Sequence, residues 1–517
     1  MGSRHAANVI TAIGLLVLAN ACGGSRAVER HDDALVIVLP TDVLQLDPRR
    51  VTDAYGLKLS RLLFGSLVTI DPHTLQVVPD LAERVEVVSP LLYRVTLRDG
   101  LRFSDGSALD AADVISTYRS VLDPGTASPF TRNYSRIAHM TAPNSRTVEF
   151  HLREPHATFL TDLELPIVRA EDARAVIALK NGPRPVSSGP YTLERRTVGN
   201  ISLVANPHWY GGAPLHAHLR FVVVRDDNTR ALRLLAGAGD VALNAVPPLL
   251  VPLFEHNARF HVTSAVGVGT TYLGFNVESS KVRDPLVRQA IAYAIDRNAI
   301  IEAKFHGRAQ SARGFVPPGH WAYEEALPSY TRNLARARAL LDSAGLRDPD
   351  GEGPLMRVQL VLRTSSDRFR QSIARAIAAQ LAEVGIDVDV RPSELATLIA
   401  DLNAGRFEMS TLQIPEVFEP HALSWFFASD RIPGSAGHEG ANRWRYRNPS
   451  FDDLLERGRA TTDIPARRAI YSAAQQILAR DLPALPLWHE DVVAITNARA
   501  APFSAPRDGR FGTLARR

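Results

Sequence analysis

Segments with a strand pattern and segments with a helix pattern alternate along the chain from residue 34 to residue 496. Residues 34–39 form a continuous apolar run, which is typical of a strand buried on both faces. Residues 110–122 place Val114, Tyr118 and Val121 on one helical face. Because the two patterns are mixed and no fixed-period repeat is visible, the sequence predicts an α/β fold.

Three segments carry specific local predictions. Residues 91–106 indicate strand, turn and strand, because apolar and polar residues alternate before the turn pair Asp99-Gly100. Asp284 followed by Pro285 predicts the start of a helix. Residues 501–517 are polar and rich in arginine, so we expect a loosely ordered C-terminal tail there.

The first 22 residues have the layout of a secretory signal. A weakly positive start precedes an apolar run over residues 9–18, which is too short to span a bilayer, and small residues then lead to Cys22. Cys22 is the only cysteine, and it stands where a lipoprotein signal peptidase would make it the new N-terminus. We therefore expect a lipoprotein signal peptide at 1–21, a lipidated Cys22 and a tether at 22–33. An ordinary signal peptide cleaved nearby is the alternative.

The charge, the motifs and the metal-ligating residue types of the chain argue against several classes of protein. The formal net charge is +4 over 517 residues, and the basic residues are spread along the chain, so we expect no nucleic-acid partner. There is no GxSxG, GxxxxGK[ST] or HExxH motif, which argues against an enzyme. With one cysteine and dispersed histidines, we also expect no metal site and no cofactor.

Several motifs in register resemble the extracellular solute-binding proteins of family 5, which include the oligopeptide- and dipeptide-binding proteins. The most specific is YRVTLRDGLRFSDGSALDAADV at 93–114. Others are SSGPYTL at 187–193, NPHWYGG at 206–212, the segment 272–301 and LPALPLW at 482–488. The resemblance covers about 34–497.

The resemblance implies a three-lobed, periplasmic-binding-protein-like (type II) α/β fold with a hinge and an interlobe cleft. Mapped onto this chain, lobe I comprises 34–50, 166–269 and 483–500, followed by the tail 501–517. Lobe II comprises 51–165 and lobe III 270–482. The two chain crossings near 270 and 482 would form the hinge.

The resemblance also implies ligand-binding residues, which are Asp42, Val43, Leu44, Phe130, Tyr272, Arg363, Gln413, Glu416 and Trp425. Glu416 takes the place of an aspartate that receives a peptide's ammonium group in relatives, and Arg363 falls near an arginine that receives a terminal carboxylate. The sequence departs from the family pattern here, because Glu replaces Asp and Leu412-Gln413 replaces Gly-Trp.

These observations together predict a substrate-binding lipoprotein of an ABC importer. It would capture peptides, or a similar small polar solute, outside the cytoplasmic membrane and deliver them to permease subunits. We expect a monomer without catalytic activity, held to a membrane by its N-terminal lipid. The alternatives are a ligand-sensing receptor on the same fold, a binder of an opine, sugar or metal chelate, and a hydrolase of exported substrates.

Overall fold

The computed structural model describes residues 33–174, 184–351, 353–434 and 440–516. Cys22, the predicted signal peptide and residues 22–32 of the predicted tether lie outside these ranges. Within them, no helix has the length and apolar character needed to cross a membrane.

The strands of the described ranges confirm the mixed pattern of the sequence. They are β1 (Leu35–Leu39), β2 (Val68–Ile70), β3 (Val77–Pro79), β4 (Ala82–Ser89), β5 (Leu92–Leu97), β6 (Ile137–Asn144), β7 (Thr147–Leu152), β8 (Tyr191–Thr197), β9 (Asn200–Ala205), β10 (His218–Val223), β11 (Val241–Leu243), β12 (Phe260–Val266), β13 (Thr270–Phe275), β14 (Ala309–Ser311), β15 (Val358–Ser365), β16 (Ile386–Ser393), β17 (Met409–Ile414) and β18 (Ala484–Asn497).

Among the helices of the described ranges, those of nine or more residues each begin after a side chain that caps them, whereas the shorter α-helices have no such cap. They are α1 (Ala54–Leu63), α2 (Ala111–Leu122), α3 (Thr131–Tyr134), α4 (Phe159–Asp162), α5 (Asp227–Leu235), α6 (Pro252–Glu255), α7 (Pro285–Ala294), α8 (Arg297–Phe305), α9 (Leu334–Ser343), α10 (Arg368–Ala382), α11 (Leu395–Asn403), α12 (Ala422–Phe427), α13 (Pro449–Ala460) and α14 (Ile464–Asp481). Asp110 and Asp284 cap α2 and α7 through their carboxylates, and the sequence predicted the helix start at Asp284.

The buried side chains gather in three bodies, which we call lobes I, II and III. Lobe I is built on β1, β8–β11 and the second half of β18. Lobe II is built on β2–β7 and α2. Lobe III is built on β13, β15–β17, the first half of β18 and the helices α7–α14.

One strand joins lobes I and III. The large sheet has the order β16-β15-β17-β13-β18-β11-β1-β10-β9-β8, and β12 and β14 also pair with β18. Residues of β18 up to Glu490 pair with β13 and β14, whereas Asp491–Asn497 pair with β12 and β11. The sequence placed the second crossing near 482, but β18 changes partners only after Glu490.

The other connection between these lobes is the short segment between β12 and β13. It contains Gly267 and Gly269, and it passes close to the backbone of Glu490 and of Pro415. A Cβ atom on Gly267 would lie 2.5 Å from the carbonyl oxygen of Glu490, and one on Gly269 would lie 2.8 Å from that of Pro415. A side chain at Gly267 would push this segment away from β18, and a side chain at Gly269 would push it away from Pro415.

Two local predictions are wrong. Residues 101–106 do not form the second strand of a hairpin; instead β5 pairs with β4 on one side and β7 on the other. Residues 501–516 are not a loose tail, because Phe503, Phe511 and Leu514 lie in the core of lobe I. Phe511 packs edge-on against Phe221, with ring centroids 5.4 Å apart.

Candidate functional site

In the described part of the chain, four cavities follow one another along the lobes. Cavity A, of about 550 Å³, lies on lobe III and is lined by Arg370, Gln413 and Trp425 among others. Cavity B, of about 330 Å³, lies between lobes II and III and shares Trp425 with cavity A. Cavity C, of about 170 Å³, shares Asn133 with cavity B and lies between lobes I and II. Cavity D, of about 130 Å³, shares Arg61 with cavity C.

Arg370 is the basic group best placed for a ligand in cavity A. It lies in the first turn of α10, which Asp367 caps by accepting the Arg370 backbone N–H. Its Nη1 lies 3.1 Å from Oε1 of Glu490 and 3.2 Å from Oγ1 of Thr271. Nη2 and Nε have no hydrogen-bond partner in the described part of the chain. A planar group with donors left over can take a carboxylate.

Trp425 supplies an exposed aromatic surface between cavities A and B. Its side chain belongs to α12 and remains 39% exposed, which is unusual for an indole. An exposed tryptophan at a cavity rim offers a large apolar face that a ligand can cover.

Glu416 lies in a group of charged residues where the three lobes meet. Arg61 and Arg510 both pair with Glu164, and the Arg510 guanidinium lies 4.6 Å from the centre of the Phe418 ring. Burial alone would lower the pKa of Arg510. The negative charges of Glu164, Glu416 and Asp508 have the larger combined effect, so the pKa of Arg510 is raised.

The carboxylate of Glu416 itself is exposed and has no hydrogen bond or ion pair with a described residue. Burial lowers the pKa of Lys58, and the negative charges of Glu416 and Asp508 oppose that shift. Glu416 therefore offers an unshared carboxylate to a ligand cation, with cations of the protein close by.

A family model described as "Bacterial extracellular solute-binding proteins, family 5 Middle" matches residues 76–433. The chain belongs to this family. Di/tripeptide-binding protein 2 of Pseudomonas aeruginosa is 27% identical over 505 residues, which cover 92% of each protein. The glutathione-binding protein GsiB of Escherichia coli O157:H7 is 27% identical over 489 residues, covering 92% of this chain and 93% of the relative.

Solved structures share the fold of this family 5 protein. CtaP of Listeria monocytogenes superposes with a TM-score of 0.81 at 22% identity, covering 93% of this chain and 98% of the other. AppA of Bacillus subtilis, in complex with a nonapeptide, gives a TM-score of 0.74 at 22% identity, covering 92% and 97%. The predicted type II periplasmic-binding-protein fold is thereby confirmed.

Three of the residues predicted for the ligand site of this solute-binding protein line the cavities. Gln413 is half-buried on β17 and lies in cavity A with Trp425. Phe130 is half-buried and lines cavity C.

The other predicted residues lie elsewhere, apart from the exposed Glu416. Tyr272 is 1% exposed and packs edge-on against Trp444 in the core of lobe III, so its ring is not a cleft surface. Arg363 pairs with Asp401 at 2.7 Å and lines none of the four cavities. Val43 is buried and its carbonyl oxygen accepts from Arg196, while Asp42 is half-buried and Leu44 is 76% exposed.

Arg370 is a cation of cavity A that the sequence did not single out. A loose match to relatives pointed to Arg363, which lies on β15, whereas Arg370 lies in the first turn of the next helix. The Asp367 cap is a signal that could have placed Arg370 near a helix start. No cluster of three or more potential metal-ligating side chains occurs in the ranges that the structure describes.

Proposed function

We propose that this chain captures peptides outside the cytoplasmic membrane and delivers them to the permease subunits of an ABC importer, without making or breaking a bond. The observation that carries the proposal is cavity A, where Arg370 has unused donors beside the exposed indole of Trp425. Its volume lies in the range of small-ligand sites. Relatives named for di/tripeptides and for glutathione, itself a tripeptide, support a peptide ligand.

Closure of lobes I and III around the ligand would bury it. The two connections between these lobes, residues 267–269 and β18 near Glu490, are the proposed hinge. A ligand that contacts both lobes only in the closed state would shift the population toward closure.

Mass spectrometry of the purified chain under native conditions tests the ligand class. We expect a co-purified peptide mass that is released on denaturation. A bound sugar, opine or metal chelate in its place would contradict the peptide assignment. We also expect no steady turnover of peptides or esters by the protein.

The two charged groups, Arg370 and Glu416, should recognise opposite ends of the peptide. Arg370→Gln should weaken binding of peptides with a free C-terminal carboxylate by about 1.5–3 kcal/mol, the scale of a hydrogen bond to a charged group. Binding of the C-terminally amidated peptide should change little.

Glu416→Gln should weaken binding of free-amine peptides and leave N-acetylated peptides nearly unchanged.

Calorimetric titration with the four peptide forms measures these differences. Arg368→Gln is the matched control for Arg370, because Arg368 is exposed on the same helix and lines none of the four cavities. An equal loss for the free and the blocked peptide would remove the assignment of the residue concerned.

We propose that the protein is attached to a membrane through an acylated Cys22. Several acyl chains would anchor it stably, whereas one would bind only marginally. Metabolic labelling with a radioactive fatty acid should label the protein and should fail for Cys22→Ser. Label that persists in Cys22→Ser would rule out this attachment.

A further inference from the structure

Cavity B has charged side chains in its lining that the peptide-end contacts proposed above do not use. It lies between the segment 132–162 of lobe II and the segment 419–431 of lobe III, and its volume is about 330 Å³. Its lining contains arginines, histidines and two carboxylates. The pairing of these groups decides what kind of ligand group it can take.

The two carboxylates of the lining are already satisfied. Both oxygens of Glu419 accept from the guanidinium of Arg467, which is 3% exposed. Oδ2 of Asp162 lies 3.2 Å from Nε2 of the buried His156. Neither carboxylate therefore needs a cation from a ligand.

Of the three arginines in the lining, Arg136 pairs with Glu154 and Arg431 pairs with Asp430, but Arg132 is not paired in this way. Arg132 is exposed, and in the described ranges its guanidinium makes no hydrogen bond and no ion pair. His156 is 4% exposed, lines the cavity, and its Nδ1 has no hydrogen-bond partner among the described residues. A buried polar atom without a partner costs free energy that a bound group can recover.

His421 presents a further donor. Its Nδ1 lies 3.1 Å from the hydroxyl of Tyr471, and the Arg467 guanidinium lies over the Tyr471 ring, 5.4 Å from its centre. When the tyrosine hydroxyl donates to Nδ1, the neutral ring of His421 carries its own proton on Nε2. In that tautomer His421 offers an N–H donor to the lining of cavity B.

Basic side chains surround His421 at the wall of cavity B. Burial, and then the basic groups His156, Arg467, Arg459 and Arg136, lower the pKa of His421 to about 3. Carboxylates pair with Arg467, Arg459 and Arg136, so the charge available to an anion in this cavity is that of Arg132.

Cavity B is also within reach of the proposed ligand. Trp425 lines both cavity A and cavity B, so a peptide that covers the indole in cavity A can extend a side chain past it. We propose that cavity B binds the carboxylate of an aspartate or glutamate side chain of the peptide, through Arg132 and His421. This inference rests on the proposed function and narrows its substrate class to acidic peptides.

The test uses alanine tetrapeptides that carry one glutamate, or one glutamine, at each position in turn. Calorimetric titration of the full chain should show one position at which the glutamate peptide binds about tenfold more tightly than its glutamine counterpart, a difference of about 1.4 kcal/mol. Arg132→Gln should reduce that ratio to about one. Because Arg132 is exposed and unpaired, this variant should keep the unfolding midpoint of the parent.

Arg153→Gln is the matched control, since Arg153 is an exposed arginine of the same lobe that does not line cavity B. It should keep the tenfold preference. Equal binding of glutamate and glutamine peptides at every position, or a preference that survives Arg132→Gln, would overturn the inference and leave the proposed function intact. Absence of binding by all the peptides would overturn both.

Discussion

Replacing Arg467 by methionine is expected to lower the free energy of unfolding by about 3–5 kcal/mol, the cost of leaving one partner of a buried ion pair alone. Arg467 binds both oxygens of Glu419 and donates from Nε to the carbonyl oxygen of Gly458 at 2.9 Å. Burial already raises the pKa of Glu419 although Arg467 opposes it, so removal of the guanidinium would raise it further.

Urea unfolding at pH 7.5 measures this loss. Arg468→Met is the control, because Arg468 is the next residue of α14 and is exposed. The double variant Arg467→Met, Glu419→Gln should recover part of the loss, since no charge is then left buried. If Arg467→Met and Arg468→Met destabilise the protein equally, the ion pair is not the source of stability.

The second large effect is a loss of stability in mild acid. Burial lowers the pKa of His320 and of His489 to about 4, and that of His421 to about 3. The unfolded chain, with ordinary histidines near 6.5, binds more protons than the folded chain below that pH. The stability that these residues contribute is therefore present above pH 6.5 and is lost as the pH falls toward 4.

Each such histidine should contribute about 1.4 kcal/mol per pH unit within this window. His320 shows why protonation is unfavourable. Its Nε2–H donates to the Phe418 carbonyl oxygen at 3.1 Å, and its Nδ1 accepts the Ala322 N–H at 3.0 Å, so an added proton breaks the second bond.

Urea unfolding at steps between pH 7.5 and 4.5 gives the slope. His320→Asn keeps an acceptor for the Ala322 N–H. It should reduce the slope of the unfolding free energy against pH by about 1.4 kcal/mol per pH unit, the contribution of one histidine. His261→Asn replaces an exposed histidine and should leave the slope unchanged. Stability that does not vary across this window would show that the three rings are not held neutral by the fold.

Helix starts could be predicted from the sequence because their determinants are local. Asp110 and Asp284 cap α2 and α7 with their own side chains, two residues before the N–H groups that they accept. The strand over 34–39 could be predicted for a related reason, since a continuous apolar run must be buried on both faces.

The wrong predictions concern partners that are distant in sequence. Asp99-Gly100 does form a turn, but both edges of β5 are occupied by β4 and β7, so the residues after the turn have no strand to pair with. The arginines of the last residues suggested a solvated tail. Arg510 is instead buried against Glu164, which lies 346 positions earlier in the chain.

The candidate site could be predicted only where a motif fixes the position. Gln413 and Trp425, in the segment that aligns with relatives, do lie in cavity A. Arg370 and Arg132 could not be found in this way, because an arginine in the first turn of a helix is common, and only the folded chain brings each of them to a cavity.

The burial of the C-terminal segment determines when lobe I can fold during synthesis. The core of lobe I combines Leu35 and Ile37, among the first residues described, with Phe503 and Phe511 near the last. The ribosome makes Leu35 and Ile37 long before Phe503 and Phe511, so this core cannot be completed on a chain that lacks the later segment. Until Phe511 has been made, lobe I has to remain open, and an open chain is the form that can still be threaded through a narrow pore.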